Sequence, residues 1–184
     1  MHAAALPPKS SSSLIDDVPT EPGASTVAPR QLRAALSLFA TGVTIVTTLT
    51  PDGDPVGLTV NSFNSVSLEP PLVLWSLALR SGSLDTFRAA ERWVVHVLGA
   101  EQRELAERFA QRAVDRFAGV AWHAGLGSLP VLDGAAAVFE CRALTGHEAG
   151  DHVILIGEVE HCQSRTNAQP LIFHGGRFYT ELPL

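Results

Sequence analysis

The 184-residue sequence predicts a mainly β protein with short helices, a β-barrel with helices added to it. Three observations carry that expectation. β-Branched and apolar residues alternate over short runs, as a pleated and half-buried surface prefers. Turns bearing glycine or proline separate those runs at hairpin spacing. Finally, about seven strands and two or three short helices occur with no strand–helix–strand alternation, so a parallel sheet is not expected.

In chain order, residues 1–28 are rich in Pro, Ser and Ala without periodicity and read as a disordered tail before one domain over 29–184. Pro29 suits a first helical turn, Leu32, Ala35, Leu36 and Phe39 follow helical spacing, and Gly42 reads as the cap that ends this helix. Residues 43–48 and 55–60 form a hairpin around Pro51-Asp52-Gly53-Asp54. Within its second strand, Gly57 lets another group approach the backbone closely. A small-polar loop, residues 61–65, leads to a third strand, and Pro70-Pro71 marks a strand start or an edge.

Ser83 is placed as the N-cap of a helix over 84–90. With Arg80 nearby, its free N–H groups suit either a plain cap or a phosphate. His96, within a strand over 93–98, reads as structural. Residues 101–111 form an amphipathic helix with Leu105 and Phe109 inward and Glu104/Arg108 paired. The irregular segment 112–134, with Trp122 and His123, is expected to fold over the barrel or a partner subunit. Long strands over 135–144 and 153–163 are joined by a loop over 145–152. A last hairpin, 171–174 and 177–180, turns at Gly175-Gly176.

Composition narrows the function. A net charge of −6 argues against nucleic acid, which basic faces bind. No apolar run is long enough for a membrane span, and the N-terminus has no secretory pattern, so a cytoplasmic location is expected. Cys141 and Cys162 read as small buried hydrophobes, and no metal is expected, even from His147, Asp151 and His152 in one loop. There is no nucleophile elbow, no Walker loop, no His-Glu-x-x-His and no third glycine after Gly125-x-Gly127.

Several ordered runs share one further likeness. Phe39-Ala40-Thr41-Gly42-Val43-Thr44, Gly57-Leu58-Thr59, Asn61-Ser62-Phe63, Glu69-Pro70-Pro71, Arg116-Phe117-Ala118-Gly119-Val120 and Gly150-Asp151-His152 together resemble the flavin reductase-like family. The resemblance covers roughly residues 30–181. It implies an FMN-binding split β-barrel of Greek-key type, a homodimer, and an NAD(P)H:flavin oxidoreductase supplying reduced flavin to a separate monooxygenase. FMN or FAD would be one cofactor and NADH or NADPH the other.

By the same resemblance, Pro55, Gly57, Leu58, Thr59, Asn61 and Ser62 would edge the flavin ring and ribityl chain. Ser76, Leu77 and Ala78 would continue that wall, and Gly82, Ser83, Arg108 and Phe109 would hold the phosphate or adenylate end. His152, with Leu171, Ile172, Phe173 and His174, would face the nicotinamide nucleotide. The last contacts depart from the family pattern, which commonly has an aromatic where His174 stands and a shorter turn than Gly175-Gly176. No catalytic side chain is expected, because hydride transfer needs two rings held at contact rather than a nucleophile. A flavin-binding storage or sensing protein on the same barrel is the alternative. A split-barrel oxidase of a phosphorylated pyridoxal-like substrate is disfavoured by the sparse Lys and Arg.

Overall fold

The computed structural model describes residues 27–112 and 114–181, so the expected tail over 1–28 lies almost wholly outside the described residues. Helix α1 (Pro29–Leu36) opens the fold and is followed by a short strand β1 (Thr41–Gly42). Strands β2 (Thr44–Leu49) and β3 (Pro55–Val60) make the expected hairpin, with Gly53 at φ 88° in its turn. Strands β4 (Asn64–Leu68) and β5 (Pro71–Ala78) make a second hairpin. Helix α2 (Leu84–Ala89), strand β6 (Arg92–Val97) and helix α3 (Arg103–Ala110) follow. Strands β7 (Trp122–Ala124) and β8 (Pro130–Leu132) pair with each other. The long strands β9 (Ala137–Ala149) and β10 (His152–Ser164) precede the closing hairpin of β11 (Ile172–His174) and β12 (Arg177–Tyr179).

Seven strands form one antiparallel sheet in the order β3-β2-β6-β9-β10-β5-β4. β6 pairs with β2 instead of its predecessor β5, so the chain crosses one end of the sheet in Greek-key fashion. The two edge strands, β3 and β4, are consecutive in the chain and joined by only Asn61-Ser62-Phe63. In a flat sheet those edges would lie ~29 Å apart. The connection spans ~14 Å at most. The sheet therefore curls until its edges nearly meet, giving a barrel left open along one seam.

The barrel is filled by aromatic rings. Trp75 stands edge-on to Phe87 at 5.0 Å and to Trp93 at 6.0 Å, and all three are buried. Gly157 on β10 makes room for this cluster, since a Cβ there would lie 2.5 Å from Trp93 Cζ2. A second cluster of Val43, Ile45, Leu98, Ala106, Phe109, Leu132 and Leu171 packs helix α3 against the sheet.

Several boundaries differ from the sequence expectation. Helix α1 stops at Leu36 rather than reaching Gly42, because Ser37 takes the cap position and its hydroxyl donates to Ala34 O at 2.7 Å. Gly42 instead pairs with Ile172 in the three-stranded sheet β1-β11-β12. The polar loop ends at Phe63, and Asn64 and Ser65 belong to β4. The loop over 145–152 shrinks to Gly150-Asp151, because β10 is paired on both sides and its ladder runs to His152 and Ala149. Arg103 and Glu107, not Glu104 and Arg108, form the ion pair on α3, at 2.9 Å. Cys141 is buried as expected, whereas Cys162 is exposed beyond the register shift in β10.

Candidate functional site

The seam of the barrel opens into a cleft of about 630 Å³, a size suited to a small ligand or cofactor. One wall is the end of β3 (Leu58, Thr59, Val60) and the connecting Asn61 and Ser62. The facing wall is the end of β5 (Ser76, Leu77, Ala78) and the turn Arg80-Ser81-Gly82-Ser83. Phe109 and Ala110 close one side with Arg112 and Arg116, and His152 at the start of β10 stands on the rim.

Ser62 fixes the seam. Its Oγ accepts from Ser76 N–H at 2.9 Å and donates to Ser76 O at 3.2 Å, tying the edge-to-edge connection to β5. Thr59 Oγ1 donates to Ala106 O at 2.7 Å, so this hydroxyl anchors α3. The close approach expected at Gly57 is real, but Phe109 fills it: a Cβ at Gly57 would sit 2.8 Å from Phe109 Cε1. Ser83 occupies the N-cap position of α2 without a side-chain cap bond, and its N–H donates to Ser81 Oγ at 3.3 Å.

The electrostatics of the cleft run against the charge of the whole chain. Arg80, Arg112 and Arg116 line it, and no Asp or Glu does among the described residues. Arg116 Nη1 donates to Gly57 O at 2.7 Å, while its Nε and Nη2 donate to Gln111 O at 3.0 and 2.6 Å. Partial burial lowers the Arg116 pKa, although a guanidinium stays charged in any case. His152 Nδ1 lies 2.7 Å from Asp151 Oδ1. That bond, the His152 charge and, more weakly, Arg80 hold the Asp151 carboxyl below its usual range. With Nδ1 turned to the carboxylate, Nε2 of His152 is the ring nitrogen left for a ligand.

Among the described residues the hydroxyls of Thr59, Ser62 and Ser81 bond to backbone groups, not to a histidine or carboxylate. The flavin reductase like domain family matches residues 36–181, a span that includes every residue lining this seam. The chain belongs to that family. It is 47% identical over 149 residues to the FMN reductase (NADH) SmoA of Agrobacterium fabrum, covering 81% of this chain and 84% of that protein. It is 39% identical over 156 residues to the reductase subunit HsaB of a flavin-dependent monooxygenase from Rhodococcus jostii, covering 84% and 79%. The fold superposes with a TM-score of 0.80 on the NADH:FAD oxidoreductase SgcE6 of Streptomyces globisporus in complex with NAD and FAD fragments. That match has 39% identity and covers 87% of this chain and 98% of that one. Against three longer relatives, the chain spans between 42% and 57% of their length.

In this flavin reductase fold, eleven of the residues named from sequence share the cleft. They are Leu58, Thr59, Asn61, Ser62, Ser76, Leu77, Ala78, Gly82, Ser83, Phe109 and His152. Pro55, Gly57 and Arg108 do not line it, and Arg108 Nη1 instead donates to Ala118 O at 2.7 Å. The segment from Leu171 to His174 is also absent from its walls. Leu171 is buried in the second core cluster, Ile172 and Phe173 pair with Gly42 and Thr41, and the His174 ring lies 6.1 Å from that of Tyr179. Sequence reading missed Val60, Ser81, Ala110, Arg112 and Arg116 as lining residues. Arg108, Arg112 and Arg116 share helical spacing, but the helix ends at Ala110, so the later two diverge from the first. A second cleft of about 460 Å³ lies between α2 and the β9–β10 hairpin, and its charges, Arg88 and Glu148, neutralise each other.

Proposed function

We propose that this protein is an NADH-dependent flavin reductase that binds FMN or FAD in the seam cleft and supplies reduced flavin to a separate monooxygenase. The observation that carries the reading is a cleft with three guanidinium groups, amide and hydroxyl donors and, among the described residues, no carboxylate, in a chain of this family. That donor set fits a flavin: the partly exposed Leu58 and Ala78 offer apolar contact for a ring, backed by the buried Leu77 and Phe109, and the arginines suit a phosphate. When the two cofactors are bound, the nicotinamide supplies a hydride and the flavin accepts it. The protein's part is to orient both and exclude water between them.

Asn61 and Ser62 with the β5 backbone edge the flavin position, and Nε2 of His152 orients the nicotinamide nucleotide. Leu171 to His174, lying away from the cleft in one chain, are not part of this reading of the site. Handing flavin to a partner requires moderate affinity: a micromolar dissociation constant corresponds to about −8 kcal/mol.

The same reading includes a homodimer in the cytoplasm. No residue of α1 is buried, and Leu36 and Phe39 are 62% and 73% exposed. An isolated helix of eight residues is marginal without packing, so a second copy covering this apolar stripe supports it. Light scattering returning a monomer mass would refute that part. For the activity, anaerobic mixing of protein, FMN and NADH should bleach the flavin absorbance in multiple turnovers. Quenched flavin fluorescence without bleaching would show a binding module instead.

A further inference from the structure

We infer that Arg116 is the residue that recognises the flavin 5′-phosphate, an assignment that rests on the flavin reading of the seam cleft. Sequence resemblance gave that end of the ligand to Gly82, Ser83, Arg108 and Phe109, but the one cation among them, Arg108, is turned onto Ala118 O and does not line the cleft. Three other arginines do, and they are not equivalent. Arg80 and Arg112 make no side-chain hydrogen bond among the described residues. Arg116 is fixed by three, from Nη1 to Gly57 O and from Nε and Nη2 to Gln111 O.

All three of those contacts are to neutral backbone carbonyls, and Arg116 makes no ion pair among the described residues. A half-buried cation is thus oriented but not neutralised. Of the five N–H groups of a guanidinium, one on each terminal nitrogen remains for a ligand. A phosphate matches that need, accepting paired N–H bonds and supplying the missing negative charge. The carbonyl clamp also means the guanidinium loses little freedom when an anion binds.

The test is the dissociation constants of FMN and of riboflavin, which lacks the phosphate, measured by flavin fluorescence on wild type, Arg116→Gln and Arg116→Lys. Wild type should prefer FMN, and Arg116→Gln should weaken FMN by about tenfold or more while riboflavin affinity stays nearly constant. Arg116→Lys, which keeps the charge and loses the fork, should fall between and serves if the glutamine variant does not fold. A preference for FMN that survives both substitutions would overturn the assignment. So would an equal loss for both ligands, which would make Arg116 a scaffold of the cleft. Wild type that binds neither flavin would instead overturn the flavin reading itself.

Discussion

Thr47, Thr48 and His96 are buried on the adjacent strands β2 and β6, in the closed part of the sheet, and every polar side-chain atom they carry is engaged by the chain itself. Thr47 Oγ1 donates to Pro130 O at 2.6 Å and Thr48 Oγ1 to Arg92 O at 2.9 Å. His96 Nε2 accepts from Leu132 N–H at 2.9 Å, which fixes the proton on Nδ1, where it donates to Ile45 O at 3.0 Å. At the seam the same residue types are used differently. Asn61, Arg80 and Arg112 have no side-chain partner among the described residues, and His152 commits one ring nitrogen and keeps the other. The closed core leaves the indole N–H groups of Trp75 and Trp93 without a partner among the described residues, but they are sealed from solvent; unengaged polar capacity that a ligand can reach collects where the sheet fails to close. The comparison predicts that changes in the closed half cost stability and changes at the seam cost binding.

The largest effect is expected deepest in the closed half. Trp93→Ala removes a fully buried ring that Gly157 exists to accommodate, and urea unfolding should show a loss of about 3–5 kcal/mol. A loss under about 1 kcal/mol would mean that the ring cluster does not hold the barrel together. Next in size is the pH response of His96. Burial, the dominant cause, brings its pKa to about 4, below the unfolded value, so the unfolded chain binds the extra proton. The stability linked to His96 is therefore complete above pH 6.5 and is lost as pH falls toward about 4. Unfolding curves should lose roughly 2–3 kcal/mol between pH 6.5 and 4.5. His96→Gln should flatten that slope, and a slope unchanged in the variant would assign it elsewhere. The smallest change in stability belongs to the seam. His152→Ala should alter unfolding by about 0.5 kcal/mol or less. The same variant should raise KM for NADH about tenfold, leaving flavin affinity in place. Unchanged kinetics would remove His152 from the site.

The hairpins were legible in the sequence because their turns are local: Gly53 at φ 88° and Gly175-Gly176 at 57° and 77° do what their positions announced. The seam was legible as a polar loop, but not as a seam, because only the pairing of β10 with β5 and of β6 with β2 brings its two edges together. For the same reason Gly57 was read correctly as a place of close approach and given the wrong occupant, since Phe109 arrives from a helix some fifty residues later. Arg108 and Arg116 show a second kind of limit. Which arginine faces the cleft depends on α3 ending at Ala110 and on Asp115 Oδ1 accepting the N–H groups of Phe117 and Ala118 to form the turn beyond it. Leu171, expected by resemblance to face the nicotinamide nucleotide, is a core residue, because its backbone bonds to Val43 and Leu98 draw it under the sheet.

The seam account is tested most directly by a crystal structure of the protein soaked with FMN. The isoalloxazine ring should lie in the cleft between Leu58–Ser62 and Ser76–Ala78, with its phosphate toward Arg116. Flavin density in the cleft between α2 and the β9–β10 hairpin, with the seam empty, would contradict it.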